Sequence, residues 1–110
     1  MKPLDPRAAA RAAVSANPTR AATAVIHDTE DARLVVFRIA PGQEVAVHTS
    51  PSTVMLTVLE GTGVLSGGDG ERACGPGDVV AYAPGEPHGM RPGESDFLLL
   101  ATITPRPGTR

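Results

Sequence analysis

The sequence predicts an all-β domain, an antiparallel sandwich or barrel, preceded by one short helix. Three observations carry this. Gly (12) and Pro (11) are abundant and fall as punctuation between short apolar runs. The runs from Ala24 onward favour branched and aliphatic side chains. No segment of helical period interrupts them.

Taken in order, Asp5 to Ser15 reads as a helix: Asp5 caps it, Pro6 suits the first helical position, and the run of alanines favours it. Asn17-Pro18 stops it. Ala24 to His27 is the first strand, closed by the polar turn Asp28-Thr29-Glu30-Asp31. Arg33 to Ala40 follows and breaks at Pro41-Gly42. Val45 to His48 is short, and Val54 to Glu60 alternates until Gly61-Thr62-Gly63. Val64 to Ser66 and Glu71 to Cys74 flank Gly67-Gly68-Asp69-Gly70, a hairpin signal. Val79 to Ala83, Gly89 to Arg91 and Phe97 to Thr104 complete the set. The chain divides into an N-terminal helical arm (1–21), a strand domain (22–104) and a loose tail (105–110).

Composition narrows the function classes. The net charge is −2 and the arginines are scattered, so no cationic face for nucleic acid is expected. Phe37, Tyr82 and Phe97 are the only aromatic residues, which leaves no base-stacking platform. Cys74 is alone, so no intrachain disulfide forms; it reads as a packed small hydrophobe, and a cytoplasmic location is expected. Ala8 to Ala13 is broken by Arg11, so no signal-peptide core is expected, and the apolar runs are too short to cross a membrane.

Two spaced patterns stand out. Pro41-Gly42, five further residues, His48, then Val58-Leu59-Glu60-Gly61 form the first. Gly77-Asp78 followed by Pro84-Gly85-Glu86-Pro87-His88 forms the second. Together they resemble the two motifs of the cupin superfamily, the RmlC-like jelly-roll proteins, over Gly42 to Pro92. The resemblance implies a double-stranded β-helix (jelly-roll) barrel with the two motifs on facing strands. In the family, two histidines and a glutamate of the first motif and a histidine of the second hold a divalent metal.

Here that ligand set is degenerate. His48 and His88 stand at ligand positions, but Ser50 replaces the second histidine, Val54 the glutamate, and Pro92 the second motif's asparagine. Valine offers no donor and a serine hydroxyl is a poor one. If a metal binds (Fe, Mn, Ni or Zn), His48 and His88 are its ligands, with His27, Glu86 or a partner-chain residue as candidates to complete the shell. The alternative is a pair of imidazoles hydrogen-bonded to each other, to Ser50 or to water. Strand parity, anchored on the histidines, gives the expected ligand pocket: His48, Ser50, Val54, Leu56, Tyr82, His88 and Met90, with an aliphatic lining.

These readings lead to a small-molecule-binding cupin barrel, non-catalytic or only weakly metal-binding. The alternative is a metal-dependent cupin enzyme, a dioxygenase or isomerase, using His48 and His88. A metal-free acid–base enzyme working with histidine and tyrosine is a third reading. A homodimer is also expected, because Met55 and Leu59 on one strand and the consecutive Leu98-Leu99-Leu100 on another put apolar side chains on outer as well as inner faces. The alanine-rich helix is the other candidate cover, with little area to bury.

Overall fold

A computed structural model describes residues 1–108. One helix, α1 (Pro6–Ala12), precedes nine strands: β1 (Ala22–Asp28), β2 (Arg33–Ile39), β3 (Val45–His48), β4 (Thr53–Glu60), β5 (Gly63–Gly67), β6 (Gly70–Cys74), β7 (Val79–Tyr82), β8 (His88–Pro92) and β9 (Phe97–Thr104). Asp5 accepts the Ala8 N–H through its side chain and Pro6 opens the helix. The helix is shorter than the alanine run, because Ala13 is already extended. The reading of 105–110 as a loose tail falls partly on 109–110, outside the described residues. Within the described part, Pro105 O accepts the buried Ser52 hydroxyl at 2.5 Å.

The strands form two sheets, one in the order β1-β2-β9-β4-β7 and one in the order β3-β8-β5-β6. All pairings are antiparallel. This corrects the barrel expected for residues 22–104: neither sheet closes, and no strand pairing joins one sheet to the other among the described residues. Closure needs an unbroken hydrogen-bonded ladder with matched tilt and stagger. Here β3 and β7, each four residues long, and β6, five long, are edge strands. On the β6–β7 side a cavity lies between the sheets where a closed barrel would have a ladder. The architecture is therefore an open two-sheet jelly roll.

Parity fixes what lies between the sheets. Val54, Leu56 and Val58 of β4 and Phe97, Leu99 and Ala101 of β9 point inward and meet Ile39, Leu65, Tyr82 and Met90. The intervening Leu98 and Leu100 point outward, as the consecutive leucines require. α1 lies on that outer face: Ala10, fully buried, packs with Val36 and Leu98, and Leu59 and Leu100 flank the contact. Polar ties hold it there. Arg7 Nε donates to Leu59 O at 3.4 Å, Arg11 pairs with Glu60, and Arg38 Nη2 donates to Ala13 O at 2.5 Å. Gly61 ends β4 at φ +75°, where an added Cβ would lie 2.1 Å from Asp96 O, so only glycine fits this turn. Among the described residues no helix is long and apolar enough to cross a membrane.

Candidate functional site

His48 closes β3 and His88 opens β8, and the two are directly opposite in the β3–β8 pairing. Their facing depends on an irregularity. Val45 pairs with Met90 and His48 with His88, so three steps along β3 match two along β8. Regular alternation would put Val45 and His48 on opposite faces; the extra residue returns His48 to the face of Val45. The ring centroids lie 4.2 Å apart with the planes at 62°. Tyr82 also neighbours His88, with ring centroids 5.0 Å apart. Tyr82 pairs with Val54 across β4 and β7.

Each imidazole is oriented in the same way. His48 Nδ1 donates to Ala46 O at 2.9 Å, and His88 Nδ1 donates to Glu86 O at 3.0 Å. A carbonyl oxygen only accepts, so in the neutral rings the proton sits on Nδ1 and the lone pair on Nε2. His88 is 3 % exposed. Burial lowers its pKa below the ordinary 6.5 and the nearby His48 adds to this, while the hydrogen bond to Glu86 O pulls the other way. The Tyr82 hydroxyl is pushed up to about 12, first by burial and then by Cys74, Glu86 and Asp69. It stays an uncharged donor at any physiological pH.

The other expected pocket residues divide. Val54, Leu56 and Met90 are buried in the inter-sheet core with Tyr82. Ser50 lies beyond the end of β3, where its hydroxyl accepts the Ser52 N–H at 3.2 Å and its carbonyl accepts the Gly85 N–H at 2.7 Å. His27 belongs to β1, on the other sheet from the histidine pair. Both oxygens of Glu86 accept backbone N–H groups. Among the described residues no group of three or more His, Cys, Asp or Glu could hold a metal, so the ligand set is incomplete.

Sequence reasoning missed a cavity that meets the pair only through Tyr82; neither histidine lines it. It has about 520 Å³ and opens between β6 and β7. Tyr82 is the one expected pocket residue on its wall; Asp69, Glu71, Arg72, Val80 and Glu86 are others. Its lining is mixed, with these charged side chains beside the aliphatic Leu65, Val80 and Ala81. The missed signal is the charge of the Asp69-Gly70-Glu71-Arg72 hairpin, which reads as a solvated turn until β7 is placed next to it.

Buried neutral His88 carries a pH consequence. The unfolded chain takes up a proton near pH 6.5, whereas the folded chain resists until a lower pH. Stability is thus complete above about 6.5 and falls as the pH drops toward the folded value. Urea denaturation at pH 7.5, 6.5 and 5.5 should show the midpoint falling over the lower interval, and equal midpoints would contradict it. Glu71, held below its ordinary 4.5 by the Arg91 hydrogen bond, acts only in a more acidic window.

The Cupin domain family matches residues 35–103. A protein from Thermus thermophilus is 29 % identical, with 97 % of this chain and 100 % of that one covered and a TM-score of 0.85. An RmlC-like cupin from Desulfovibrio desulfuricans is 32 % identical over 86 % of this chain and 91 % of that one, TM-score 0.74. An uncharacterized conserved protein with a double-stranded β-helix domain from Klebsiella pneumoniae is 27 % identical over 87 % and 86 %, TM-score 0.78. No curated protein matches the chain.

Proposed function

The chain belongs to the cupin family, and from that premise we propose that it handles a small molecule at a divalent metal held by His48 and His88. One observation carries the reading. Both Nδ1 atoms are spent on backbone carbonyls, so two Nε2 lone pairs stand on rings 4.2 Å apart. Two acceptors cannot satisfy each other; a shared cation or a donor satisfies both. An imidazole whose other nitrogen is tied to a carbonyl is also the usual form of a metal-ligating histidine.

The donor set fits an imidazole-preferring divalent metal such as Fe, Ni or Zn, with Mn as the harder alternative. Bound there, the metal supplies Lewis acidity at positions left open to water and ligand. The protein residues do the rest. His88, buried and neutral, keeps its lone pair available near pH 7. Tyr82 offers an uncharged donor and is the link between the two: its ring neighbours His88, and it lines the 520 Å³ cavity, which neither histidine lines and which is the ligand space in this reading. Dioxygenase or isomerase chemistry is the enzyme class that such a centre suits.

A second reading, non-catalytic binding without metal, is favoured by Ser50 and Val54 at the remaining ligand positions and by the absence of a third donor among the described residues. Calorimetric titration of tag-free protein with Fe(II), Mn, Ni and Zn separates the two. One equivalent per chain of at least one metal is expected; no uptake of any of the four would leave the second reading.

The homodimer belongs to this proposal as well. α1 covers Leu59, Leu98 and Leu100. Beyond it, large apolar side chains still stand exposed on three edge strands: Val25 of β1, Val47 of β3 and Val79 of β7. Light scattering at micromolar concentration should give twice the 11.3 kDa of one chain; a mass of one chain that does not rise on concentrating would rule the dimer out.

A further inference from the structure

Sheets that do not close need some other tie across the gap. On the β6–β7 side no strand pairing supplies one among the described residues. Glu86 does. Its Oε2 accepts the N–H of Gly68, in the β5–β6 turn of the four-stranded sheet, at 3.2 Å. Its Oε1 accepts the N–H of Ala83, just after β7 of the five-stranded sheet, at 3.1 Å. One carboxylate thus spans both sheets at the rim of the cavity it lines. The packing there is close: a Cβ added at Gly67 would lie 3.3 Å from both Glu86 Oε2 and a Tyr82 ring carbon.

The backbone of the same residue reaches the histidine pair, because Glu86 O is the acceptor that orients His88. The peptide between these roles is stiff. Pro87 restricts Glu86 to extended conformations, and Gly85, at φ +81°, donates its N–H to Ser50 O. The carboxylate that meets both sheets and the carbonyl that orients His88 thus belong to one conformationally restricted residue.

We propose that Glu86 latches the cavity rim and is a positioning residue for His88: its carboxylate ties the two sheets together while its carbonyl keeps the His88 lone pair on Nε2. The consequence for function rests on the reading of the histidine pair as the working centre, but the geometry does not depend on a bound metal.

Glu86→Ala and the near-isosteric Glu86→Gln test this in metal-free protein. Amide exchange is read at Gly68 and Ala83, and ring ¹⁵N shifts at both histidines. With Glu86→Ala, exchange at the two amides should rise at least about tenfold, and His88 should pass from one tautomer to a mixture while His48 keeps its own. Glu86→Gln has one acceptor oxygen, so one amide should stay protected and the other not. Unchanged protection at Gly68 would overturn the latch. Faster exchange with an unchanged His88 tautomer would overturn the positioning role. If metal titration of the native protein is silent while His88 responds to Glu86, the metal reading falls and this one stands.

Discussion

Replacing His48 with alanine is expected to abolish metal binding, lowering affinity by at least about 100-fold. A residue that only orients a ligand costs about 10- to 100-fold when removed, and a ligand costs more. Among the described residues no third His, Cys, Asp or Glu joins the two imidazoles in a metal-holding group, and one imidazole with water is not a stable site for these metals. His48 is exposed, so the substitution creates little core damage and an unchanged circular dichroism spectrum serves as control. His88→Ala should abolish binding equally, but it also removes a buried side chain. Calorimetric binding that survives His48→Ala would mean that the ligands have been wrongly chosen.

Replacing Phe97 with alanine should cost about 3–5 kcal/mol. Phe97 is fully buried and is among the largest side chains between the sheets. It packs directly on the backbone of β5, where a Cβ added at Gly63 would fall 2.5 Å from the Phe97 ring. That glycine-on-aromatic contact cannot be remade by small adjustments of neighbours, so a void remains. In a chain of this size the loss lowers Tm by at least about 10 °C. Urea unfolding at pH 7.5 measures it; a loss under about 1.5 kcal/mol would show that the site collapses around the missing ring.

Local pattern made much of this molecule legible. Val54, Leu56 and Val58 share the inner face because strand period is two. The leucines at 98–100 announced two covered faces, and both are covered. The spacing from Gly42 to His48 and from Gly85 to His88 identified the two histidines that the β3–β8 pairing sets opposite each other. What was not legible depends on relations between distant edges. Whether β6 and β7 join cannot be read from either strand, so a barrel was expected where a cavity lies. The power of α1 to cover leucines was underrated, because alanine methyl groups bury little area. They also allow close approach, and arginines 7, 11 and 38 fasten the helix by polar ties that hydrophobic area does not measure. Glu86 was weighed only as a spare metal ligand, since nothing local shows that its two oxygens face amides from separate sheets.

The extra residue in β3 has a consequence for how this site tolerates change. Val47 stands exposed, so core packing does not fix its identity. The number of residues between Val45 and His48 is not free. Losing one would restore the regular pleat and turn the His48 imidazole to the outside, and the Ala46 carbonyl that orients it would move out of reach. The centre is thus protected against most point mutations in this stretch and defenceless against a three-base deletion. Lineages descended from such a chain should drift in composition at Ala46 while keeping their spacing, or lose the histidine pair in a single step.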